Sequence, residues 1–214
     1  KSLEYGMKVI CLDVLLYGEI VVKNFSNIEN FKLVKGDIRD WKLIDDLTRD
    51  VDYVVNLAAI VGDKPCEVAP KSAYQINFKG NSMLAEASKK NNVKKYIFAS
   101  TCSNYGISDP NKFANEESFL NPVSLYAETK IDSENNLKSL ASDNFSTTSL
   151  RFGTAYGLSK RTRFDLTVNS FAYEALFNKK IVVFAQETWR ANRKPRFIPV
   201  PKPGWRGLQD DGTT

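Results

Sequence analysis

Five short apolar runs, Lys8–Leu12, Phe31–Val34, Tyr53–Leu57, Lys95–Ala99 and Thr147–Leu150, alternate along the chain with stretches of helical spacing. Each run is rich in Val, Ile, Phe or Leu and too short for a helix, so each reads as a buried strand. The stretches Leu43–Leu47, Ala73–Ala87, Leu125–Leu140 and Phe164–Phe177 place apolar residues at helix-compatible intervals. Such an alternation predicts an α/β fold, a doubly wound parallel sheet joined by helices. Right-handed crossovers then put helices on both faces and ligand sites at the carboxyl ends of the strands.

A chain of 214 residues with 43% hydrophobic content can bury one substantial core. The expectation is one domain over residues 1–184 and a basic, proline-rich, irregular tail over 185–214, where Pro195, Pro199, Pro201 and Pro203 break any period. A proline-rich ligand for a recognition domain is the alternative reading of that tail. Of the net charge of +5, the tail supplies three units, and neither a basic helix nor an aromatic-basic RNA signature occurs. Binding to nucleic acid is therefore not expected, and no apolar run approaches the length of a membrane span. Cys11, Cys66 and Cys102 are odd in number and lack metal-ligand spacing, which fits reduced thiols in a cytoplasm and no metal. Histidine is absent, which removes Ser-His-Asp and Cys-His machinery and leaves Tyr, Lys and carboxylates for proton transfer.

The chemistry-bearing residues fall where the fold predicts them. Asp13 ends the first run, where a carboxylate can accept hydrogen bonds from both ribose hydroxyls of an adenosine and repel a 2′-phosphate, favouring NAD over NADP. A solvated loop Asp fits that position equally well. The small residues Ala58 and Ala59 after the third run allow close approach of a flat cofactor, or simply of a packing helix. Ser100-Thr101-Cys102-Ser103-Asn104-Tyr105-Gly106 follows the fourth run, and Arg151-Phe-Gly-Thr-Ala-Tyr-Gly157 follows the fifth. Tyr126 and Lys130 lie one helical turn apart, so an ammonium can sit beside a phenol, favour its ionised form and make Tyr126 a general base. With nine tyrosines in the chain, about one Tyr-x-x-x-Lys pair is expected by chance, and a packed ring with a snorkelling amine is its bland reading.

The ordered set is more specific than any member. Gly36-Asp37-Ile38, Leu57-Ala58-Ala59, Asn77 with Gly80, Ser100-Thr101 through Tyr105-Gly106, Tyr126-x-x-x-Lys130 and Arg151-x-Gly-Thr-Ala-Tyr-Gly157 resemble the extended short-chain dehydrogenase/reductase family over nearly all of residues 1–184. The resemblance is to its NAD-dependent sugar-nucleotide epimerases, dehydratases and 4-dehydrogenases. It implies a Rossmann-type sheet, with Thr101, Tyr126 and Lys130 catalytic. It also implies that Asp13, Asp37, Ile38, Leu57, Ala58, Ala59, Asn77, Tyr126 and Lys130 meet NAD. Thr101, Asn169 and Arg190 would meet a nucleotide-diphosphate sugar, with Arg161 and Arg163 as weaker candidates. A homodimer through helices such as Ala73–Ala87 and Leu125–Leu140 is implied as well.

Departures from the family pattern are equally informative. The Gly-rich turn that cradles a pyrophosphate at a helix N-terminus is not found in the sequence, so the expectation is a sheet lacking its first strand and most of the substrate region. That strand would lie between those ending at Asp13 and Leu57, leaving either a gap or a direct pairing of the two. Related 4,6-dehydratases carry Asp-Glu after the catalytic Thr, whereas Cys102 and Ser103 stand here. The preferred expectation is reversible C4 oxidation by a 4-epimerase or 4-dehydrogenase. The alternatives are a 4,6-dehydratase or reductase, or a non-catalytic fragment or binding module of that family.

Overall fold

All five expected strands form, each within two residues of its expected ends, in a computed structural model that describes residues 2–19, 22–25, 27–106, 113–183 and 196–199. The chain divides into two units, Lys1–Gly153 and Thr154–Thr214.

In the first unit, β1 (Val9–Asp13) pairs in parallel with β2 (Phe31–Lys35), Val9 opposite Phe31 and Asp13 opposite Lys35. A second parallel ladder has the order β3 (Tyr53–Asn56), β4 (Lys95–Thr101), β5 (Ser146–Phe152). Parallel ladders with intervening helices make the Rossmann-type α/β architecture that the alternation predicts. β1 and β3 share no ladder. Of the two outcomes expected from the sequence, the gap is the one found.

α1 (Trp41–Thr48), α4 (Asn81–Lys90) and α5 (Leu125–Leu140) lie in the crossovers leading into β3, β4 and β5. Right-handed crossovers that advance in one direction leave their helices on one face, and α1 and α5 both pack on α4. On that face Tyr96 and Phe98 of β4 are fully buried with Ala85, Val93, Leu137 and Phe145. The Tyr96 and Phe145 rings meet edge to face, centroids 6.2 Å apart. The alternate strand residues Tyr53, Val55, Leu150 and Phe152 are exposed.

What joins the β1–β2 ladder to the rest is largely the α1–α4 contact. Asp45 on α1 pairs with Lys90 of α4 at 2.9 Å and with Arg49 at 3.2 Å. Asn91 Nδ2 donates to the Asp45 carbonyl and to Thr48 Oγ1, both at 2.9 Å. Lys90 first, then Arg49, holds the Asp45 carboxyl down to about 2.

α2 (Asp63–Val68) and α3 (Pro70–Ala73) precede a π-helical turn, Tyr74–Gly80, that leads into α4. The expected helix Ala73–Ala87 spans the turn and most of α4. Gly80 has a packing reason: a Cβ there would lie 2.8 Å from Ile38 Cγ2, so the turn could not close on the β2–α1 connection. Among the described residues no helix is long and apolar enough to cross a membrane.

The second unit holds α6 (Thr167–Tyr173), continued by a π-helical turn, Glu174–Asn178, where the sequence predicts a helix over Phe164–Phe177. Tyr173 meets Phe164 edge to face and Phe177 at a tilt, centroids 5.4 and 4.7 Å away. β6 (Lys180–Val183) pairs antiparallel with β7 (Arg196–Pro199), so the segment expected to be irregular contains one strand.

Candidate active site

α5 is well founded in its sequence. Ser124 caps it, accepting from the Ala127 N–H at 3.3 Å while donating to Asp63 at 2.7 Å. Its buried residues Tyr126, Ala127, Thr129, Lys130, Ser133 and Leu137 form a stripe of helical period. That stripe carries Tyr126 and Lys130 to the carboxyl end of β4. Lys130 Nζ donates to the Ala99 carbonyl at 2.8 Å, two residues before Thr101. The same nitrogen lies 4.5 Å from the centroid of Phe98 and 5.8 Å from that of Tyr126. The structure thus brings the Tyr126 ring beside an ammonium that is anchored near the end of β4.

Lys130 is 2% exposed, and burial pulls its pKa down to about 8 from an ordinary 10.5. It therefore remains mostly an ammonium at neutral pH while holding its proton far less tightly than a surface lysine does. Thr101, also buried, caps the 3₁₀ turn Cys102–Tyr105: its Oγ1 accepts from the Ser103 N–H at 3.1 Å and donates to Ser103 Oγ at 3.1 Å. Gly106 closes the turn at φ +60°, where a Cβ would lie 1.6 Å from the Asn121 carbonyl oxygen. Cys102 is exposed.

The residues expected to meet the cofactor divide into surface and support. Asp13 stands exposed at the end of β1, its carboxylate accepting from the Leu15 N–H at 2.7 Å. Leu57 and Ala58 are exposed beyond β3, with Ala59 partly covered. In the β2–α1 connection the Asp37 carboxylate accepts from Arg39 Nε and Nη2 at 2.9 and 2.6 Å, which holds its pKa below the usual carboxylate range. Ile38 is buried against Gly80.

Asn77 is 1% exposed and grips both backbone groups of one residue. Its Oδ1 accepts from the Ile60 N–H at 2.8 Å and its Nδ2 donates to the Ile60 carbonyl at 3.0 Å. Asn56 works similarly one step earlier, accepting from the Ala58 N–H at 3.0 Å and donating to Asn81 at 2.8 Å. The loop that exposes Leu57 and Ala58 is therefore held from below by two buried amides. In the second unit, Asn169 Oδ1 accepts from the Gly157 N–H and its Nδ2 donates to the Arg163 carbonyl, both at 3.0 Å. Arg163 pairs with Asp165, and Arg190 lies outside the described residues.

The family model described as the NAD dependent epimerase/dehydratase family matches residues 2–190. The chain belongs to that family. Among the family's curated members it is 33% identical over 134 residues to a UDP-glucose 4-epimerase of Halalkalibacterium halodurans, covering 60% of this chain and 37% of the relative. It is 31% identical over 127 residues to a dTDP-glucose 4,6-dehydratase of Streptomyces niveus, covering 58% and 38%. The solved UDP-glucose 4-epimerase of Thermotoga maritima superposes with a TM-score of 0.75 at 26% identity, over 86% of this chain and 60% of that one. The chain thus spans less than two thirds of the length of each of these relatives.

Sequence reasoning missed one buried cluster beside the family's motif residues. Glu134 and Arg151 form a forked ion pair, Nη2 to Oε2 2.6 Å and Nε to Oε1 3.1 Å, with side chains only 11% and 18% exposed. The signal was present: Glu134 stands four residues beyond Lys130, one turn further along the same side of α5.

Proposed function

We propose that the whole protein is an NAD-dependent sugar-nucleotide 4-epimerase or 4-dehydrogenase that works by reversible oxidation at the sugar C4. The observation that carries this reading is the anchoring of Lys130 to Ala99, which sets a buried ammonium beside Tyr126 at the strand end bearing Thr101. Tyr126 takes the proton of the C4 hydroxyl as general base. Lys130 favours the phenolate by its charge, and Thr101 orients the hydroxyl. NAD, when bound, supplies the acceptor for the hydride that no side chain can take.

The chain's own residues fit such a cofactor on its adenosine side. The exposed Asp13 carboxylate suits the ribose hydroxyls, and the exposed Leu57 and Ala58 with the Asp37–Ile38 backbone suit the flat rings. Asn77 contributes by holding the loop, and Asn169 and Arg190 are assigned to the substrate diphosphate. Cys102 and Ser103 after Thr101 favour epimerisation or dehydrogenation over water loss, since they supply no carboxyl pair. A homodimer in the cytoplasm belongs to the same proposal, and sedimentation velocity tests the dimer.

Tyr126→Phe is expected to lower kcat on UDP-glucose by about 10²–10⁴-fold with KM nearly unchanged. Unchanged turnover overturns the assignment. Isothermal titration with NAD separates this reading from a non-catalytic module, which would show no micromolar binding. Mass analysis of the product separates an epimer or keto sugar from loss of water.

A further inference from the structure

The cluster around Glu134 has a geometry that stability alone does not require. Its Oε1 accepts from Ser100 Oγ at 2.5 Å, from Asn104 Nδ2 at 2.8 Å and from Arg151 Nε at 3.1 Å. Its Oε2 accepts from Arg151 Nη2 at 2.6 Å and Nε at 3.2 Å. Arg151 Nη1 in turn donates to the Tyr105 hydroxyl at 3.2 Å and to the Glu116 carbonyl at 3.3 Å. Asn104 Nδ2 also donates to Ser100 Oγ at 3.1 Å. Ser100 and Asn104 are buried, so these bonds act in a low dielectric.

One carboxylate thereby reaches the residue before Thr101 and the middle of the turn after it, and through Arg151 it reaches the turn's last residue. Glu134 lies eight residues beyond Tyr126 on the same helix. Two helical turns of rigid backbone therefore link the general base to the anchor of the hydroxyl that works with it. A buried ion pair is a poor source of net stability, because desolvation offsets its attraction and a well-packed apolar pair serves as well. Its two-point geometry is a good source of position.

We propose that Glu134 is a positioning residue for this site, fixing Thr101 relative to Tyr126 by holding the Ser100–Tyr105 turn to α5. The proposal rests on the oxidoreductase reading above. Displacing Thr101 by about 1 Å lowers the rate of the chemical step by up to ~10²-fold and leaves ground-state binding alone.

The test uses the full-length protein with UDP-glucose and NAD as probes, and compares Glu134→Gln with the paired change Glu134→Gln/Arg151→Met, which leaves no unpaired buried charge. The paired variant is expected to keep its Tm within a few degrees, to lose kcat by roughly 10–100-fold at constant KM, and to raise hydrogen exchange only in residues 100–106. Adding Thr101→Ala is expected to cause little further loss, because both changes act through one hydroxyl. Fully additive losses, or an exchange increase spread over the whole fold, would assign Glu134 a merely structural role and overturn the proposal. If the wild-type protein turns over none of the probe, the oxidoreductase reading fails by itself. Exchange in residues 100–106 then decides the anchor, and protection equal to wild type overturns it.

Discussion

The two ends of the first unit are held in different ways. Around β4, β5 and α5, the fixing contacts are buried side-chain hydrogen bonds, converging from several elements on Glu134 and Asn77 and joined by the single bond of Lys130 to Ala99. The β1–β2 ladder is attached mainly through α1, whose Asp45 meets Lys90 of α4 and Asn91 just beyond it. The proposed proton transfer needs closely held side chains, and the first arrangement is the one that ties side chains together across elements. The second arrangement leaves β1 and β3 without a shared ladder.

The difference can be broken at its strongest point first. Phe98→Ala removes a fully buried ring from the core and from beneath Lys130, and is expected to cost about 3–5 kcal/mol in chemical unfolding. A loss below 1 kcal/mol would show that the β4 end is less tightly packed than its burial states.

Lys130 gives the next effect, and its sign follows from its depressed pKa. Below about pH 8 the folded state carries the cost of a buried ammonium; as pH rises from about 8 toward 10.5 the unfolded chain holds the extra proton and stability rises. The gain is on the order of 3 kcal/mol, and Lys130→Met should abolish this slope in denaturant titrations across that range. Under the proposed mechanism turnover moves oppositely, falling above about pH 8 as the ammonium beside the Tyr126 ring is lost.

Gly106→Ala forces a side chain onto a φ of +60° and into the Asn121 carbonyl. It should cost about 2 kcal/mol and lower kcat more than it raises KM, since the turn behind Thr101 must open. The smallest effect belongs to the other region. Asp45→Asn should lower Tm by only a few degrees at neutral pH and raise proteolytic cleavage around β1–β2. Because its carboxyl is held down to about 2, the clasp is fully formed above pH 4 and is lost as pH falls toward 2. Equal cleavage of wild type and variant would remove the distinction between the two regions.

Strands and helices were legible because each is written in its own period, and α5 matched its expected ends at both Leu125 and Leu140. The Tyr126–Lys130 pair was legible for the same reason, one turn of one helix. What escaped were contacts between elements distant in the chain, which no local pattern records. Glu134 meets Arg151 across 17 residues and Ser100 across 34, and each looks unremarkable in its own segment. Asn77 was expected at the cofactor; its buried amide grips Ile60 across 17 residues, a contact that no local pattern records. The motif order left either a gap or a direct pairing between β1 and β3, and only the structure decides that they share no ladder.

That β1 and β3 share no ladder in this chain also decides which of its strand amides open together. Hydrogen bonds running across a continuous sheet make its strands open together; here the β1–β2 amides can open without breaking any bond of β3, β4 or β5. Their protection is then governed by the free energy of parting α1 from α4, a local unfolding event set by helix contacts. The Lys130 anchor at Ala99 belongs to the β3–β4–β5 ladder, so the β1–β2 ladder can fluctuate while that anchor stays formed.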